Sequence, residues 1–140
     1  MANANVPTYA QKYRPVAARI LVAAGALPSG APTGVVELAR GANNAGTLVR
    51  KIWAMPCANA TLSSLILYIA KAETPTVLRF LDSEAMAAYT FAVTTKIPKT
   101  FFGDLTATEP YYLAPGDILF AAAQVVPASG IDFTAQVADL

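Results

Sequence analysis

The sequence predicts an all-β protein: a two-sheet antiparallel sandwich, jelly-roll-like, with an extended N-terminal arm. Three observations lead there. From residue 17 onward, short β-rich runs are separated by turn residues every 8 to 14 positions, the spacing of a sandwich or barrel rather than of βαβ units. Within the runs apolar residues alternate with polar ones, as on a strand with one face buried. A chain of 140 residues has room for one core, burying roughly 70% of the surface that the unfolded chain exposes.

The elements follow in order. Residues 1–16 are polar, carry Pro7 and Pro15 and show no period, so they read as an arm, with the sandwich domain spanning residues 17–140. The first strand is expected over Ala17 to Ala24, ending before a loop that holds Pro28, Gly30 and Pro32. Gly34 to Arg40 is the second strand, and Gly41-Ala42-Asn43-Asn44 turns the chain. In the third, Thr47 to Met55, Val49 shares a face with Ile52 and Ala54, so the alternation slips at Arg50 and Lys51 and predicts a β-bulge.

The fourth strand, through Leu65, Leu67 and Ile69, is apolar on both faces and is expected to be central or to face a subunit. Thr76 to Leu81 is the fifth, with a turn at Asp82-Ser83. Over Met86 to Thr95 the β-branched and aromatic residues favour a strand; a helix over Ser83 to Ala92 competes. Pro110 to Leu113 leads into the tight turn Ala114-Pro115-Gly116-Asp117, Ile118 to Val126 resumes the pattern, and Ser129-Gly130 turns the chain again. The cleanest alternation is the last: Ile131, Phe133, Ala135 and Val137 against Asp132, Thr134, Gln136 and Ala138.

Composition narrows the function classes. The chain is 55% hydrophobic and 14% charged, against about 25% charged in soluble domains, so part of its surface is expected to meet protein rather than water. Ten basic residues offset nine acidic ones without a concentrated run, which predicts no specific nucleic acid and no anionic membrane as partner. The apolar run Leu65 to Ala70 is far short of the roughly 20 residues of a membrane span. Residues Ile20 to Leu27 look slightly like the apolar part of a signal peptide, but the region before them is long for one. The expectation is a soluble, uncleaved chain with an inert, buried thiol at Cys57, its single cysteine.

Histidine is missing from the sequence, which removes the Ser-His-Asp and Cys-His arrangements and the common zinc sites. Carboxylate pairs remain: Asp82 with Glu84, and Asp104 with Glu109, both in predicted turns where solvated side chains are the ordinary reading. Asp82-Ser83-Glu84 lacks the dense acidic loop of a calcium site. No enzyme, no cofactor and no metal are therefore expected. Arg50 and Lys51 before Trp53, and Lys96 and Lys99 around Pro98, are weighed as contacts to phosphate or carboxylate across an interface. Trp53, Tyr68, Tyr111, Tyr112, Phe101 and Phe102 are weighed as a stacking platform for sugars or bases, against core and interface packing. Asn59-Ala60-Thr61 fits the glycosylation acceptor pattern, which matters only in a secreted eukaryotic protein.

A more specific likeness runs over roughly residues 34 to 140. Gly34-Val35-Val36-Glu37-Leu38, Arg40-Gly41-Ala42-Asn43-Asn44, Val49-Arg50-Lys51-Ile52, the Leu65 to Lys71 strand, Tyr112-Leu113-Ala114-Pro115-Gly116-Asp117-Ile118-Leu119 and the closing Ala135-Gln136-Val137-Ala138-Asp139-Leu140 together resemble small virion structural proteins of tailed bacteriophages. The resemblance implies a β-sandwich on the virion, a capsid decoration or cement protein made in the bacterial cytoplasm. Its implied partners are the major capsid protein or another virion protein and its own copies, a trimer being favoured. Tail, collar or fibre-attachment proteins and a carbohydrate-binding module for host attachment are the alternatives. The interface residues expected on this reading are Pro7, Tyr9, Tyr13 and Arg14 in the arm, and Phe101, Phe102, Tyr111 and Tyr112 at loop edges.

Overall fold

The computed structural model describes residues 12–24, 34–103 and 109–140. Pro7, Tyr9, Asp104 and the loop with Pro28, Gly30 and Pro32 lie outside the described residues. Those described form nine strands and no helix, and so no helix long and apolar enough to cross a membrane. The strands are β1 (Lys12–Ile20), β2 (Val36–Arg40), β3 (Thr47–Pro56), β4 (Ser63–Ala70), β5 (Arg79–Met86), β6 (Thr100–Phe101), β7 (Tyr111–Leu113), β8 (Ile118–Ala123) and β9 (Ile131–Asp139).

Two antiparallel sheets face each other. One runs β1-β9-β3-β6, with β7 also beside β3, and the other runs β2-β8-β4-β5. The pairings nest: β1 with β9, β2 with β8, β3 with β6 and β7, β4 with β5. The chain is thus one long ribbon doubled back on itself and then wrapped, with β9 also against β3 and β8 against β4. That is a jelly roll, as the sequence predicts.

The core lies between the sheets. Ile131, Phe133, Ala135 and Val137 of β9 face Leu65 and Leu67 of β4 and Leu119, Ala121 and Ala123 of β8, with Ile52, Ala54, Phe102 and Leu113 closing the side. Each fully buried Leu, Ile or Phe contributes about 1.5–3 kcal/mol relative to its exposed state. A smaller cluster sits on the outer face of the four-stranded sheet, where Ala24, Val35 and Leu78 pack with Ile66, Tyr68, Phe120 and Ala122. It explains the two apolar faces of β4: the strand is central, and the chain's own connections cover its second face.

The third strand slips register between Val49 and Lys51, at the expected bulge. Elsewhere the expected strands move. β1 begins at Lys12 rather than Ala17, so Tyr13 and Arg14 stand in a strand and not in an arm; β9 offers a partner along its whole length. Pro15 is tolerated because β1 is an edge strand, where a missing N–H leaves no ladder bond unmade. β5 runs Arg79–Met86, through the expected turn at Asp82-Ser83. Asp82 does accept a bond from its neighbour's Ser83 N–H at 2.7 Å, but β4 pairs with the segment and holds it extended, with a register shift between Leu67 and Tyr68. Met86 to Thr95 is neither strand nor helix beyond Met86; a single bridge joins Tyr89 to Ala60.

The two ends of the sandwich differ. At the end carrying the tight turns, Asp117 is buried and its carboxylate accepts from Lys71 Nζ at 2.7 Å, Ala72 N at 3.1 Å and Ala114 N at 3.1 Å. Its carbonyl accepts from Gly41 N at 2.8 Å, so one residue ties three turns together. Gly116, with φ of +86°, takes the position of the expected turn that requires positive φ. Gly41 is needed for closeness instead, since a methyl there would run into the Ala114 carbonyl oxygen. Beside them Arg14 and Thr47 both donate to Asp139.

Burial alone would raise the Asp117 carboxyl, yet Lys71 and the two backbone N–H groups hold it below the usual carboxylate range. Arg14 does the same for Asp139. A depressed folded pKa stabilises above the ordinary carboxylate range near about 4 and is lost as pH falls through the lower folded value. Asp117→Asn is therefore expected to lose about 1–3 kcal/mol at neutral pH, from strained or unmade bonds to buried N–H groups, and to show a shallower acid loss than wild type. Urea unfolding of both proteins across the acid range measures this, and parallel acid slopes would remove Asp117 from the account. Phe133→Ala, at the centre of the core, is expected to cost about 3–5 kcal/mol in the same assay.

Candidate interaction surfaces

At the opposite end four connections meet: β1–β2, β3–β4, β5–β6 and β8–β9. Backbone bonds from Ala24 N to Ala123 O, Gln124 N to Ser64 O and Cys57 N to Gly130 O lash them to strand ends and to one another. Several of their described large apolar side chains stay in water. Leu21 is 63% exposed, Val22 62% and Leu62 66%; Phe91 and Val125 are exposed, and Val93 is wholly so. In sequence these four connections carry only Lys96 and Lys99 as charged residues and no carboxylate. Scattered exposed apolar residues are ordinary, but a charge-poor group of them at one end is a candidate contact surface. The local order is firm: Asn59 Oδ1 accepts from Phe91 N at 2.8 Å, and Tyr89 stacks edge-on against Phe91 at 5.1 Å.

The outer face of the five-stranded sheet is a second surface. The register places Tyr13, Pro15 and Ala17 of β1 beside Ala138, Gln136 and Thr134 of β9, and these beside Leu48, Lys51 and Trp53 of β3. The β3 bulge inserts Arg50, so two consecutive cations project to this side between the inward Val49 and Ile52. Each meets a ring: the Arg50 guanidinium lies 6.0 Å from the Tyr13 centroid and Lys51 Nζ 5.0 Å from that of Phe101. Lys99 Nζ stands 4.7 Å over Trp53, whose ring is 6.1 Å from Phe101. Cation–π contacts at such sites contribute about 0.5–1 kcal/mol each. A carboxylate of this face, Asp132, accepts from Arg19 through both oxygens at 2.6 and 2.9 Å, which holds it below its ordinary pKa.

The expected interface residues divide. Tyr13, Phe101 and Tyr112 are exposed, the last with its hydroxyl donating to Ala45 O at 2.8 Å. Arg14 is committed to Asp139. Phe102 is a correction: it is 2% exposed and packs on Phe133 in the core, because the residue after β6 turns inward beneath β3. Tyr111 is half-buried and donates to Asp82 at 2.9 Å, joining β7 to β5 across the open side between the sheets. That bond gives Asp82 a structural role in a strand, not in the predicted turn. Tyr68 is likewise a buried residue stacked on Phe80 and not part of an open platform.

Cys57 is half-buried rather than buried, and burial, reinforced by the Asp132 carboxylate, pushes its thiol up. The described residues bring no three metal-ligating side chains together. The loop residues Leu21, Val22, Leu62, Phe91, Val93 and Val125 were not among the expected interface; the usable signal was the shortage of charges in their four connections, while their convergence needed the topology. Comparison with protein families, curated proteins and solved structures finds no match to this chain.

Proposed function

We propose that this chain is a virion structural protein of a tailed bacteriophage, a capsid decoration or cement protein that docks on the shell through its apolar loop end. The observation that carries this reading is the contrast between the two ends. The turn end satisfies its polar groups internally through Asp117 and Asp139 and leaves Val77 exposed, whereas the loop end leaves the larger group Leu21, Val22, Leu62 and Val93 in water. Burying such side chains against a complementary shell is favourable at about 25 cal/mol per Å², and the loops bring no carboxylate to desolvate. The work on this reading is adhesive and involves no chemical step.

The sheet edges support contact by faces and ends rather than by strand addition. β1 carries Pro15, β2 is bulged between Glu37 and Ala39, and β5 presents Arg79 and a second bulge, devices that discourage edge pairing. An interface of standard size is about 1,600 Å² in total, and repetition over a symmetric shell multiplies each contact by avidity. Self-association into a trimer around the major capsid protein belongs to the same proposal.

Leu62→Lys combined with Val93→Lys alters two exposed side chains, so the fold is expected to hold within about 0.5 kcal/mol. Occupancy on purified virions, read by quantitative gel or by imaging, is expected to fall about tenfold or more as the apolar contact is lost. Undiminished occupancy would sink the loop-end docking. On the same proposal the N-terminal arm laces onto a neighbouring subunit. Deleting residues 2–11, which spares β1, is expected to leave a folded domain with reduced occupancy, and unchanged occupancy would remove the arm from the proposal.

A further inference from the structure

We infer that the outer face of the five-stranded sheet is a docking surface for an acidic segment of a partner protein, separate from whatever meets the loop end. The two sheets treat their outer faces differently. The four-stranded sheet covers its own with Ala24, Val35 and Leu78. On the five-stranded sheet the register instead exposes Tyr13, Lys51 and Phe101 beside Arg50 and Lys99.

Charge complementarity selects the occupant. Among the described residues, the ion pair on this face is Arg19 with Asp132, and no ion pair includes Arg50, Lys51 or Lys99. Their positive charge rests against ring faces, which attract a cation without neutralising it. A second copy cannot meet this face with its own, because three cations would oppose three. Residues 1–11 cannot neutralise it either, since they contain no Asp or Glu. Charge complementarity therefore favours an occupant that brings carboxylates or phosphates to Arg50, Lys51 and Lys99.

Protein is favoured over nucleic acid or glycan by the placement of the cations. Bases and sugars bind such platforms by lying on open rings, and here Lys99 stands over Trp53 and Lys51 over Phe101. A flat sheet face set with Trp, Tyr and Arg has instead the composition of protein contact hot spots. Glu or Asp side chains reaching the ammonium groups would add charge-assisted bonds without displacing them from the rings. Gln136, between Pro15 and Lys51 in the register, and Thr134, between Ala17 and Trp53, would offer neutral hydrogen bonds to the segment's backbone.

Trp53 is the chain's single tryptophan, so its emission reports on this face directly. The full chain is titrated separately with poly-L-glutamate, oligo-dT and heparin while Trp53 fluorescence is followed. Poly-L-glutamate is expected to give a saturable change that weakens about tenfold between about 50 and about 200 mM salt. The triple variant Arg50→Gln, Lys51→Gln, Lys99→Gln, with its fold checked by circular dichroism, should lose at least about tenfold in affinity. The Leu62→Lys, Val93→Lys variant should bind as wild type does, so that failure here leaves the loop-end reading standing and the reverse also holds. No saturable change, equal binding by the triple variant, or tighter binding of oligo-dT or heparin than of poly-L-glutamate overturns the inference. Should the triple variant not fold, Lys99→Gln alone, outside the strands, is read by the same criteria.

Discussion

The pairing of the first strand with the last organises this molecule. β9 runs between β1 and β3, and it offers Ile131, Phe133, Ala135 and Val137 to the core from one face alone. With the last strand against the first, the pairings β2 with β8, β3 with β6 and β7, and β4 with β5 nest between them, and the ribbon wraps into two sheets. Such pairings join residues far apart in sequence, which makes folding slow relative to helical proteins of the same size. It also means that the strands bury their apolar faces only when the whole ribbon is in place.

From that wrapping follows the polarity of the molecule along its strands. Nested antiparallel strands send alternate connections to opposite ends. One set is drawn together by Asp117, whose burial is tolerable because Lys71 and two N–H groups meet it. The other set is charge-poor and apolar, with no equivalent buried carboxylate among its described residues. Internal satisfaction at one end and unspent apolar surface at the other is a reason to look for a partner at the second, and it underlies the proposed attachment to a virion.

The bulge in β3 shows how a local irregularity acquires a surface role. A strand without it would send Arg50 and Lys51 to opposite faces, one of them into the core, where an unpaired charge is strongly disfavoured. The extra residue relieves that conflict and sets two cations side by side on the outer face. Tyr13, on β1, meets one of them only because β9 lies between β1 and β3 and brings the strands into register.

Period-2 alternation, turn chemistry and the slip at Arg50 and Lys51 made the all-β class, most strand positions, the Ala114 to Asp117 turn and the bulge legible in the amino-acid sequence, since each depends on neighbours along the chain. Tertiary structure decided the rest. Pro15 looked like a strand breaker until β1 proved to be an edge, and Asp82-Ser83 looked like a turn until β4 paired across it. Phe101 and Phe102 are adjacent and chemically alike, yet one is exposed and the other sealed against Phe133. Which of two neighbours is buried, and which distant loops share an end, depends on the partner strand and the wrap of the sheets. Neither is encoded in any short window of sequence.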